Sequence, residues 1–215
     1  MQRRHFSSSL AAAAVALPAW RPTLAQPTAP VEGRHFLRVN PAAPVTAAPG
    51  KVEVVEFFWY GCPHCNTLEP ALEAWVKRLA TDVAFRRVPV AFSAVHESHQ
   101  RLFYALEAMG QLEAMHRRVF AAIHQQMQRL EREPDQLAFL KAQGVDTTRF
   151  SEFARSFSVQ TKMRQARQLA DAYKIDGVPT IGVHGRFLTS GSLAGTNEAA
   201  LAVTDFLIGR VRAGA

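Results

Sequence analysis

The stretch KVEVVEFFWY, residues 51–60, runs directly into Gly61-Cys62-Pro63-His64-Cys65. β-Branched and aromatic residues fill it almost without alternation. It predicts a strand buried on both faces, as at the centre of a parallel sheet. After the cysteines, Leu68, Ala71, Leu72, Trp75 and Leu79 recur at helical spacing. VAFRRVPV, residues 83–90, predicts the next strand. Strand, helix and strand make a βαβ unit with the cysteine pair at its first turn. From Ser93 to Tyr173 the pattern is helical throughout, with breaks near Gly110, Pro134 and Gly144. Strand composition returns in GVPTIGVHGRFLTSG, residues 177–191, where His184-Gly185 predicts a hairpin turn. Asn197 is the expected cap of a last helix reaching about Arg212. Near the start, RHFLRV (34–39) predicts a short edge strand. The order is βαβ, a block of helices, then ββα. It describes an α/β fold whose mixed sheet closes only when the two ends of the chain meet.

The first 25 residues read as an export signal. A basic start at Arg3 and Arg4 precedes an apolar stretch and a small-residue site ending at Ala25. Arg3-Arg4-His5-Phe6 fits the twin-arginine pattern, and the same features also suit the general secretory (Sec) route. Residues 26–50 form a loose lead rich in proline and alanine. The whole chain carries 25 basic and 18 acidic residues, net +7. Three of the basic residues, Arg3, Arg4 and Arg21, and none of the acids lie in the signal. The exported chain therefore holds 22 against 18, net +4. Its basic residues are scattered among acids, so no nucleic-acid partner is expected. Two cysteines make neither a multi-bridge scaffold nor the paired Cys-x-x-Cys set of a structural zinc site.

Set at a helix start, Cys62 and Cys65 lie on one face, within reach of a disulfide. Pro63 at the first helical position loses nothing, because its missing N–H would have been an orphan there. Free N–H groups and the helix dipole favour an anion, and a protonated His64 adds a positive charge. Cys62, nearer the end, is the expected nucleophile, and Cys65 the resolving thiol. Stabilising the thiolate stabilises the reduced dithiol, which makes the disulfide more oxidising. A thiolate pKa of about 4 would correspond to about 4 kcal/mol at pH 7, or about 90 mV. A Cys-x-x-Cys motif is weak evidence alone; its place after a buried strand, in an exported chain with no other cysteine, strengthens it.

EFFWYGCPHC, with GVPT some 115 residues later, resembles the thioredoxin superfamily and, within it, the DsbA-type periplasmic thiol:disulfide oxidoreductases. That family is itself the standard example of a low-pKa, oxidising dithiol, so the direction of the chemistry is partly inherited from the resemblance. The resemblance implies a thioredoxin-like domain, a mixed central sheet flanked by helices, over 51–94 and 168–215, with an all-helical insertion over 95–167. It implies that Pro179 is a cis-proline facing the cysteines and that Val178 offers its backbone to a substrate strand. Glu56 is implied to be a buried acid passing protons to or from Cys65; the alternative is a partly exposed strand glutamate paired with Arg86 or Arg87. Pro70 lies inside the active-site helix at the spacing found in thioredoxins. Gly61 departs from the aromatic residue of some relatives.

The expected function is that of a monomeric periplasmic enzyme that donates its disulfide to reduced exported proteins. It needs no bound cofactor and is reoxidised by a DsbB-like quinone-linked membrane protein. The alternatives are a reductase or isomerase using the same dithiol, and a metal-binding or chaperone module. His96 and His99 are spaced for one helix face, yet nothing nearby completes a ligand set, so no metal site is expected. His116 and His124 read as surface or interhelix residues. Met109, Met115 and Met127 read as core filling.

Overall fold

The structure, a computed structural model, describes residues 29–214; the expected export signal lies outside them. A short strand β1 (Leu37–Arg38) precedes β2 (Val52–Phe58), α1 (Pro63–Val76) and β3 (Val83–Pro89). Five helices follow: α2 (Ala94–Ala108), α3 (Leu112–His124), α4 (Glu133–Ala142), α5 (Thr147–Arg155) and α6 (Phe157–Ala172). The chain closes with β4 (Thr180–Val183), β5 (Phe187–Ser190), α7 (Gly191–Ala194) and α8 (Asn197–Arg212).

The sheet order is β1-β5-β4-β2-β3. All seven residues of β2 are buried, as its apolar run requires. Its surroundings differ from a parallel-sheet centre, however, because it is parallel to β3 and antiparallel to β4. β4 enters from the helical block in the opposite direction and so makes the sheet mixed. β5 returns beside β4 through His184 and Gly185, both left-handed at φ 50° and 69°. Val183 pairs with Phe187, so the connection is three residues, His184 to Arg186, and the Arg186 N–H donates to the Val183 carbonyl at 3.0 Å. β1 then adds the edge expected from RHFLRV.

Each face of the sheet carries its own core. Val52 and Val54 pack with Leu68, Leu72 and Trp75 of α1 and Leu207 of α8. Val55 and Phe57 face the helical block, among Leu102 of α2, Val119 of α3 and Leu169 of α6. The alternation along β2 therefore places α1 on one side and the insertion on the other.

Several local expectations shift. Gly110 and Gly144 end helices with φ 70° and 77°, as their positions required. Pro134 sits within the first turn of α4, where its missing N–H is harmless; the break is the segment before it. Ser156 adds a break that neither glycine nor proline announces: its Oγ accepts from the Val159 N–H at 3.3 Å and starts α6. Thr196, not Asn197, caps α8, its Oγ1 accepting from Ala199 N–H at 3.0 Å. The expected boundary between residues 167 and 168 falls inside α6, which is continuous there. Met115 is buried and Met109 partly so, whereas Met127 lies outside the core at 80% exposure, on a left-handed turn.

Candidate active site

Cys62 is the N-cap of α1, with extended backbone, and Pro63 occupies the first helical turn. Both thiols are free. The Cys65 backbone N–H donates to Cys62 Sγ at 3.4 Å, so a sulfur takes the place of an ordinary capping oxygen. Cys62 reaches the surface narrowly, at 7% exposure, while Cys65 is fully covered. Across from them the Val178–Pro179 bond is cis, and Cys62 Sγ lies 3.4 Å from the Val178 carbonyl. A groove bordered by His64, Val39, Val178, Pro179, Leu188 and Leu193 runs beside this point.

The two thiols are driven apart electrostatically. The Cys65 thiol, by hydrogen bonding to it, lowers the Cys62 pKa most. Burial opposes this, and the N–H groups of Cys65 and His64 with the His64 charge complete the shift to about 6. The drop stops short of the value near 4 taken from the sequence, because desolvation works against the helix end. At pH 7 a pKa of about 6 corresponds to about 1.4 kcal/mol, or about 30 mV, of oxidising bias. Burial, the bond to Cys62 and the negative charges of Cys62 and Glu56 push the Cys65 thiol far up.

Glu56 stands opposite Arg87 in the β2–β3 register and is wholly buried. Arg87 Nε lies 3.2 Å from Glu56 Oε2, within ion-pair distance but without hydrogen-bond alignment, and both carboxyl oxygens lack a hydrogen-bond partner. Burial first, and Glu69 second, raise the Glu56 pKa to about 8 against the pull of Arg87. Glu56 is thus buried, against the partly exposed alternative, while it keeps the pairing with Arg87 that the alternative named. Arg86 turns instead to Glu53, at 3.4 Å. Arg87 also bonds Glu69 of α1, whose Oε1 lies 3.4 Å from His116 Nε2. Burial resists ionisation of Glu69, but His116 and Arg87 together hold its pKa below the usual range.

Sequence reasoning named Arg87 only as an alternative partner of Glu56 and missed Glu69 and His116 beside it. Glu69 follows Cys65 by four residues, hence on the same helix face, and Arg87 is set by strand register; both had a signal. The histidines of the insertion had none. His116 is buried, not at the surface, with Nδ1 2.9 Å from the Tyr60 hydroxyl. His124 Nε2 donates to the Tyr60 carbonyl at 2.7 Å. His99 Nδ1 accepts from the Trp59 indole N–H at 2.9 Å, and His96 packs on the same indole with ring centroids 4.1 Å apart. Gly61 has its reason here as well: a Cβ on it would come within 2.3 Å of Trp59 Cζ2.

The family described as "DSBA-like thioredoxin domain" matches residues 53–199. The chain is 44% identical over 188 residues to the thiol:disulfide interchange protein DsbA of Burkholderia cepacia, covering 87% of this chain and 89% of that protein. It is 39% identical to the protein of the same name from Pseudomonas aeruginosa over 183 residues, covering 85% of this chain and 86% of that one. The crystal structure of Pseudomonas aeruginosa DsbA superposes with a TM-score of 0.82 at 38% identity, covering 86% of this chain and 95% of the other. The oxidoreductase DsbA from Xylella fastidiosa gives a TM-score of 0.80 at 33% identity, over 86% and 98% of the two chains. With this fold and this dithiol, the chain belongs to the DSBA-like thioredoxin family and is a thiol:disulfide oxidoreductase of disulfide formation.

Proposed function

We propose that Cys62 is the point of exchange and that its disulfide with Cys65 passes to reduced, exported proteins in the periplasm. The observation that carries this reading is the split between the two thiols, one lowered to about 6 and the other raised. A substrate thiolate attacks Cys62 Sγ in the disulfide. The Cys62–Cys65 bond breaks, and Cys65 leaves with the electron pair. A thiolate of high pKa is a poor leaving group unless it takes up a proton. Glu56, neutral at pH 7 because its pKa is near 8, is the buried acid that supplies one. A second substrate thiolate then attacks the substrate sulfur of the mixed disulfide. Cys62 leaves readily as a thiolate; the substrate is oxidised and the enzyme is left as the dithiol.

His64 and Pro63 tune and start the helix under Cys62, while Val178 and Pro179 present the backbone edge on which the substrate segment lies. Reoxidation falls to a DsbB-like quinone-linked membrane protein, and the enzyme works as a monomer after export by the twin-arginine or Sec route. Among the described residues no helix is long and apolar enough to cross a membrane. Replacing Cys65 by serine removes the resolving thiol. Cys65→Ser is expected to accumulate covalent adducts with exported proteins, visible on non-reducing gels and lost on reduction. Cys62→Ser should show none. Adducts at Cys65 in Cys62→Ser would contradict the assignment.

A further inference from the structure

His99 is buried at 2% exposure within α2, yet neither of its ring nitrogens is spare. Nε2 lies 2.9 Å from the Arg129 carbonyl, which can only accept, so Nε2 carries the proton. Nδ1 must then be the bare nitrogen, and it receives the Trp59 indole N–H at 2.9 Å. One neutral tautomer satisfies both bonds. Trp59 in turn is placed by three contacts: its ring lies against Gly61, His96 covers it, and its backbone carbonyl holds Cys62. The Trp59 carbonyl accepts the Cys62 N–H at 3.0 Å.

From this geometry we infer that His99 is a positioning residue for the disulfide exchange: as the Nε2–H tautomer it latches Trp59, and a proton on Nδ1 releases that latch. The inference rests on the disulfide-donor reading of the site. It gives the helical insertion a role in the chemistry, since α2 reaches the active-site turn through this bond and through no cysteine of its own. A second proton would set N–H against N–H at the indole, leaving a buried donor without a partner. The charged and titratable groups around His99 are His96 on its own helix, Tyr60 on the turn, and Glu131, itself paired with Arg129, after α3. Burial lowers the His99 pKa more than the Arg129 and Leu130 carbonyls and Glu131 raise it. The latch therefore stays closed at neutral pH and opens only on acidification.

The test uses the protein recovered from the periplasm, with oxidation of a dithiol peptide as one readout and the Trp59 indole proton–nitrogen resonance as the other. Glutamine at 99 offers an acceptor and a donor and does not titrate; phenylalanine fills the ring volume and offers neither. His99→Phe is expected to lower kcat/KM at pH 7 by about tenfold, and His99→Gln to recover most of that loss. The ratio of wild-type to His99→Gln rate should fall by at least about threefold between pH 7 and pH 5, cancelling the ionisation of the peptide. The wild-type Trp59 resonance should move over the same range while that of His99→Gln stays. If His99→Phe does not fold, the wild-type and His99→Gln comparison decides alone. An unchanged ratio with a stationary wild-type resonance overturns the latch. A wild-type protein that oxidises no peptide would refute the donor reading instead, and the resonance would still report on His99.

Discussion

Cys62 and Glu56 carry opposite shifts, and their pH signatures follow with opposite signs. Cys62 has its pKa lowered to about 6 in the folded dithiol, from an ordinary thiol value near 8.5. The resulting stabilisation of the reduced form is complete above the ordinary value and disappears as pH falls through about 6. Thiolate absorbance near 240 nm in the reduced protein should thus titrate with a midpoint near 6 and vanish in Cys62→Ser. Glu56 behaves in the reverse sense. Its folded pKa, about 8, exceeds its unfolded one, so folding favours the protonated acid, and stability declines as pH rises from about 4.5 to about 8. Glu56→Gln removes that decline. Denaturation of the reduced forms should show the variant gaining on wild type across this window, by on the order of 4 kcal/mol. Parallel stability curves would mean that Glu56 is ionised throughout.

The elements divide into those that local chemistry announces and those that only tertiary contact decides. The β2 strand, the α1 start at Pro63 and the His184-Gly185 hairpin were all legible, because burial, capping and turn chemistry each leave a mark on neighbouring residues. The hairpin is held from outside as well: Tyr173 Oη accepts the Gly185 N–H at 2.7 Å, and Gly185 lies against the chain at Ala43. A Cβ there would meet the Ala43 carbonyl oxygen at 2.2 Å, on a backbone already at φ 69°. Gly185→Ala should destabilise the protein by about 2 kcal/mol or more, read from its denaturant midpoint. A variant within 0.5 kcal/mol of wild type, about the scatter of a surface change, would contradict this close approach. The antiparallel partnering of β2 with β4 left no local mark, since residues 54–57 pair with 180–183 from more than 100 positions away. Separations of 40, 56 and 64 residues likewise hid His99, His116 and His124, whose contacts exist only where α2 and α3 meet Trp59 and Tyr60.

Across the whole molecule, the active site is a boundary between the two cores. Beneath it, Glu56 of β2, Arg87 of β3, Glu69 of α1 and His116 of α3 connect the sheet, the helix that follows Cys62 and the insertion through buried polar groups. Arg87 opposes two carboxyls and keeps only Glu69 held in its charged form; Glu56 is left to hold a proton at pH 7. Cys62 receives the opposite treatment at the helix end. The arrangement favours the dithiol, and so makes the disulfide a donor. The central measurement is the equilibrium potential of Cys62–Cys65 in glutathione buffers, on the chain without residues 1–25. A potential well above that of the glutathione couple is the expected result. A value near that of thioredoxin, about −270 mV, would contradict the account and make the same dithiol a reductant.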